Sequence, residues 1–128
     1  MIGDAHRFVH AIGLRIAERF AGELTQAEAL ILAHLGETGA CSVGTLHTAF
    51  GHRRSTLTSA LDRLESKSLV STERSPDDAR SIIVHLTREG KTRAAAVQRL
   101  FREIENAIPK RACEALAQAL PHACDALL

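Results

Sequence analysis

The fold turns on residues 53–70, RRSTLTSALDRLESKSLV. Leu57, Leu61 and Leu64, with Ala60 beside them, recur at helical spacing and form one apolar stripe, so the stretch is predicted to be an amphipathic helix ending around Lys67. At 100° per residue, Ser55, Ser59 and Asp62 then point directly away from that stripe, with Thr56, Thr58 and Arg63 on its flanks. An outward face of small hydroxyl residues allows a backbone to come close to a partner, and Arg53, Arg54 and Arg63 supply positive charge. Such a face suits a polyanion; taken by itself it also suits an ordinary solvated helix surface.

Nearer the N-terminus, Phe8, Ile12, Ile16 and Phe20 repeat every four positions, marking one side of a short first helix that ends near Gly22. Thr25 and Glu28 have capping-box spacing, each side chain placed to bond the other's free backbone N–H, and Ala27, Leu30, Ile31 and Leu35 follow as a buried face closed by Gly36 and Gly39. Ser42 is placed to cap a brief helix carrying Val43, Leu46 and Phe50, stopped by Gly51 in a left-handed conformation. Beyond the quoted stretch, Leu69–Arg74 and Ser81–Thr87 read as strands joined by SPDDAR, with Ile82, Val84 and Leu86 on one face. Thr87 and Glu89 start another helix with a seam of Val97, Leu100, Phe101, Ile104 and Ile108. Pro109 opens a last one, which Pro121 is expected to kink or break.

The fold class is therefore mainly α with a small β-hairpin wing. Helix, short helix, helix and hairpin in that order make a winged helix-turn-helix, whose third helix enters the DNA major groove while the hairpin tip reaches beside it. Arg80, at that tip, is placed to enter a narrow minor groove, with Asp78 able to hold its guanidinium and Asp77 forming the turn.

Charge supports this reading mildly. The chain of 128 residues has a formal net charge of +1, but residues 52–93 carry nine Lys/Arg against six Asp/Glu, which concentrates the excess in the middle third. No apolar run approaches the ~20 residues needed to span a bilayer, and the start MIGDAHRFVH lacks the pattern of a signal peptide. Three cysteines, an odd number, do not form a disulfide framework, so a reducing cytoplasm is expected.

The run from LTQAEALILAHL through RRSTLTSALDRLESKSLV to SPDDARSIIVHLTREGK, residues 24–91, resembles the MarR family of bacterial transcription regulators. The DRLESKSLV run, the DDARS turn and the LTREG helix start carry the resemblance at motif level; the flanking helices match in placement. The resemblance implies one domain in two parts: dimerisation helices at 1–22 and 88–128, and a DNA-binding lobe at 24–87. It further implies a homodimer on a pseudo-palindromic double-stranded DNA operator, released by a small-molecule effector bound between the dimer base and the lobe. DNA contacts carry over to Arg54, Ser55, Thr56, Thr58, Ser59 and Arg63 on the helix and to Asp78 and Arg80 on the wing, and Arg53 joins the DNA-binding face through its charge. Three departures stand out: Arg53 where the family has a capping residue, His52 where it has an apolar one, and Ser68 where Gly takes the left-handed helix end, at a cost of about 1 kcal/mol. From the residues alone, two long apolar seams at the end of so small a chain also call for a second copy as cover.

Two alternatives stay open, a winged-helix protein-interaction module without DNA binding and a metal- or thiol-redox-responsive regulator. His6 and His10 have i,i+4 spacing, though no third metal ligand can be chosen from sequence. Cys113 and Cys124 share a helical face but lie ~16 Å apart along it, too far to bridge. No metal site, cofactor or enzymatic activity is expected: there is no nucleophile with a base, paired carboxylates or phosphate-binding loop in supporting context. The absence of Trp and Tyr argues against a stacking surface for single strands and leaves any effector pocket without a phenolic partner.

Overall fold

The computed structural model describes residues 1–128. Six helices and three short strands follow in the order α1 (Ile2–Arg19), α2 (Gln26–Thr38), β1 (Cys41–Ser42), α3 (Val43–Phe50), α4 (Arg54–Ser66), β2 (Val70–Arg74), β3 (Ile82–Leu86), α5 (Arg88–Ala107) and α6 (Lys110–Leu127). This is a winged helix-turn-helix framed by long helices, as the patterning predicts.

α1 is longer than expected, an 18-residue helix whose apolar stripe becomes progressively buried, with Phe8 and Ile12 half-covered and Ile16 and Phe20 in the core. It ends where Ala21 and Gly22 both take positive φ. In α2 the Glu28 N–H donates to Thr25 Oγ1 at 3.2 Å, but the return half of the capping box is absent because the Glu28 side chain is used elsewhere. Gly36 lies inside α2, and Gly39 alone caps it. The buried set also differs from the expected one: Ala29, Leu32 and Ala33 join Ile31 and Leu35, whereas Leu30 and Ala27 are only half-buried.

The expected hairpin has a third strand. β1 pairs with β3 antiparallel, Cys41 opposite Val84, and β3 pairs with β2 from Val70 opposite Leu86 to Arg74 opposite Ile82, giving the order β1-β3-β2. Two residues cannot display an alternating pattern, so β1 is set by the neighbouring β3 edge rather than by its own sequence. Val84 is fully buried, Leu86 half-buried and Ile82 46% exposed, so the β3 stripe enters the core only at its centre.

The end of α4 and the start of α5 are locked together. Ser68 takes φ 59°, the left-handed conformation expected at this position, while its N–H donates to the Glu65 carbonyl and the Leu69 N–H to the Leu64 carbonyl. That is a Schellman pattern, which uses two otherwise unpaired helix carbonyls. Thr87 then donates its hydroxyl to the Ser68 carbonyl at 2.6 Å, accepts the Gly90 N–H at 3.0 Å, and donates its own N–H to the Leu69 carbonyl. Gly90 is required here, since a Cβ would lie 1.8 Å from the Leu69 carbonyl oxygen.

α5 carries the lobe outward along a seam that starts buried at Ala94, Val97 and Leu100 and becomes half-exposed at Phe101 and Ile104. α6 runs unbroken through Pro121, contrary to the expected kink or break, although proline leaves the Ala117 carbonyl without its usual N–H. No α6 residue is buried, and Leu120 is 47% exposed. No helix is long and apolar enough to cross a membrane.

Candidate nucleic-acid interface

α4 sorts its residues as its period requires. Leu57, Ala60, Leu61 and Leu64 are buried, and Arg53, Arg54, Ser55, Thr56, Thr58, Ser59, Asp62 and Arg63 are exposed. Arg53 caps the helix without any side-chain bond to its free N–H groups, as its departure from the capping residues implies. The turn into α4 is anchored differently. Gly51 takes φ 61°, its N–H donates to the His47 carbonyl, and the His52 ring stacks on Phe50 at 5.8 Å. Phe50 in turn meets His34 of α2 edge-on at 5.3 Å, so histidine takes the place of an apolar residue by packing its ring face. One polar atom is sacrificed, because His52 Nδ1 is buried without a hydrogen-bond partner.

The wing tip is shaped by its own polar groups. Asp78 Oδ1 accepts the Arg80 backbone N–H at 3.0 Å, the Ser81 N–H donates to the Asp78 carbonyl, and the Asp77 N–H donates to Ser75 Oγ. Asp78 therefore shapes the turn and does not clamp the Arg80 guanidinium, which corrects the expected ion pair. The Arg74 guanidinium donates to the Ala79 carbonyl at 3.1 Å and braces the loop from the strand side. Arg80 itself is exposed, and the arginines in ion pairs are Arg7, Arg19, Arg63 and Arg93, so the guanidiniums of Arg54 and Arg80 are free of carboxylate partners.

Arg63 differs from the rest of its helix face. Its Nε donates to Glu28 Oε1 at 2.5 Å, while Lys67 Nζ donates to Oε2 of the same carboxylate at 2.7 Å and to the Glu23 carbonyl at 2.5 Å. Glu28 is fully buried, and this cluster bolts α2 to the end of α4. Burial pushes the Glu28 carboxyl up, but the hydrogen bonds from Lys67 and Arg63 outweigh it and hold the group below the usual carboxylate range. The structure thus turns Arg63 toward the protein rather than leaving it with the other exposed arginines. Glu28 was missed in the sequence because its spacing from Thr25 already explains it as a capping residue.

The other candidate chemistries are not assembled. His6 and His10 stack with ring centroids 6.3 Å apart, but no group of three or more His, Cys, Asp or Glu is placed to hold a metal ion. All three cysteines are free, and burial pushes the Cys41 thiol up, away from the reactive thiolate.

A charged, hydroxyl-lined helix beside an arginine-tipped wing has counterparts among known proteins. Residues 24–82 match the model of the MarR family. The lobe that carries α4 and the wing is thus similar to the MarR family. No curated protein sequence matches the chain. Among solved structures it resembles a probable transcriptional regulator from Pseudomonas aeruginosa at 25% identity and TM-score 0.79, covering 96% of both chains. BpsR of Bordetella bronchiseptica, a protein whose DNA binding is regulated by 6-hydroxynicotinic acid, aligns at 21% identity and TM-score 0.81, covering 98% of this chain and 94% of that one. A MarR mutant from E. coli complexed with operator DNA aligns at 22% identity and TM-score 0.72, covering 95% and 94%. The last two establish likeness of fold, and they extend the MarR-type architecture from the matched lobe to the flanking helices.

Proposed function

We propose that this chain is a transcriptional regulator that binds duplex DNA as a homodimer and is released by a small effector. The observation that carries the reading is the α4 face: Arg53, Arg54, Ser55, Thr56, Thr58 and Ser59 all exposed over a fully packed apolar stripe, with Arg80 free on the adjacent wing. The hydroxyls and arginines of α4 serve base edges and phosphates in the major groove, and Arg80 serves the neighbouring minor groove. Asp78 sets the loop that presents Arg80, and Arg63 supports the lobe through Glu28. In this reading residues 1–22 and 88–128 form the dimer base, 24–87 form the DNA-binding lobe, and the protein works in the cytoplasm without catalysis. The base is supported by α6, none of whose apolar residues is buried within one chain. An apolar cleft of about 300 Å³ between α1, α2, α5 and α6, lined by Phe8, Ile12, Leu30, Phe101, Ile108 and Leu116, offers room for the partner copy or for an effector. The regulation of BpsR by 6-hydroxynicotinic acid lends support to effector control.

Fluorescence anisotropy against the DNA upstream of the protein's own gene, with a scrambled duplex as competitor, tests the reading at low and physiological salt. Selective binding that weakens steeply with salt is expected. Arg80→Ala should keep the fold and weaken binding roughly tenfold, about 1.4 kcal/mol. Absence of selectivity at both salts would replace the regulator by a protein-interaction module.

A further inference from the structure

A cleft of about 440 Å³ opens between the first turns of α3, the start of α4 and the wing, with His47, Arg54, Thr58, Asp78 and Arg80 among its lining residues. Three separate elements thus bring two unpaired guanidiniums and an imidazole to one hollow. His47 is exposed on α3, and the histidine already held by a carboxylate is a different one, His85. The floor is open at Gly44, where a Cβ would meet only Ser42 Oγ, at 3.7 Å. Asp78 contributes the one carboxylate, and its Oδ1 already accepts the Arg80 N–H.

The geometry of duplex DNA says what belongs there. Neighbouring major and minor grooves are divided by a single sugar–phosphate strand, so a protein with one element in each groove must straddle that strand. With α4 in the major groove and Arg80 in the minor groove, the hollow between them lies on the backbone. We propose that this cleft seats a phosphodiester of the dividing strand, with His47 donating a ring N–H to a non-bridging oxygen and Arg54 and Arg80 flanking it. His47 is then a positioning residue: it fixes the register of α4 and wing on the duplex and reads no base. This inference rests on the DNA-binding reading above.

The test is a cycle between His47 and the DNA backbone. A duplex retained by the protein from a random pool is remade with a neutral methylphosphonate at one position at a time along each strand. One substitution on the strand between the grooves is expected to weaken wild-type binding roughly tenfold and His47→Ala only about twofold, the remainder coming from the flanking guanidiniums once the imidazole is gone. His47→Ala itself should weaken binding about fivefold on every retained sequence alike, and His47→Gln, which keeps an N–H donor, should recover most of the loss. Equal sensitivity of wild type and His47→Ala at every substituted position would overturn the phosphate seat while leaving DNA binding in place. A loss confined to some retained sequences would also overturn it, by showing base readout. Failure to retain any duplex would overturn the DNA-binding reading and this inference with it. Unchanged thermal midpoints in both variants would show that the effects belong to binding.

Discussion

Replacing Glu28 by glutamine removes one charge from a site with no solvent exposure and should lower stability by about 2 kcal/mol. The carboxylate accepts from Arg63 at 2.5 Å and from Lys67 at 2.7 Å, and a net contribution of ~1.5–3 kcal/mol is usual for each hydrogen bond to a charged group. Two facts reduce the loss. Glutamine retains one acceptor oxygen, and Arg63 and Lys67 are 46% and 37% exposed, so water screens them and takes them back when the carboxylate goes. The cost therefore falls below the ~3–5 kcal/mol of stranding a buried charge. For a chain of this length it corresponds to a fall in thermal midpoint on the order of 8 °C, read by circular dichroism at one fixed protein concentration. The pH dependence has a definite sign. Burial raises the Glu28 pKa, the Lys67 and Arg63 bonds lower it more, and the folded value ends below the unfolded one. The contribution is therefore fully present above the ordinary carboxylate range and is lost as pH falls from there through the folded value. The gap between wild type and Glu28→Gln should be constant near neutrality and close on acidification. A gap under about 0.5 kcal/mol at pH 7, or one that persists unchanged in acid, would refute the reasoning.

The same cluster separates two arginines of one helix: Arg63→Ala should cost about 1–2 kcal/mol of stability, whereas Arg54→Ala should leave stability within ~0.5 kcal/mol and weaken DNA binding, as paired urea melts and anisotropy titrations would show. Gly90→Ala should be the most damaging small substitution, at least ~3 kcal/mol, because its methyl group meets a backbone oxygen that two hydrogen-bonded turns hold in place; a melt within 1 kcal/mol of wild type would contradict that packing. Among the thiols, exposed Cys124 should react with a disulfide reagent at pH 8 well before Cys41, whose thiolate is disfavoured by burial; mass spectrometry of early time points showing Cys41 labelled first would reverse the assignment.

What the residues determined by themselves was whatever is encoded within a few positions of itself. The Leu57–Leu61–Leu64 stripe settled which side of α4 faces out, Thr25, Ser42 and Thr87 marked helix starts, and Gly51 marked a left-handed stop. Each of these signals is a period or a cap, and both are local. The tertiary structure decided the rest. Glu28 reads as a capping residue until Arg63 and Lys67, 35 and 39 positions away, arrive beside it, and only then does Arg63 separate from its neighbours on the helix. β1 is too short to show a pattern and exists because β3 offers it an edge. His52 breaks a local rule that the ring of Phe50 restores through stacking. His47, Arg54 and Arg80 lie on three elements that no sequence spacing relates, and only packing of the wing against α3 and α4 brings them to one cleft. Burial and charge pairing depend on which distant segments meet, and the energies that choose those meetings are summed over the whole core rather than written at any single position.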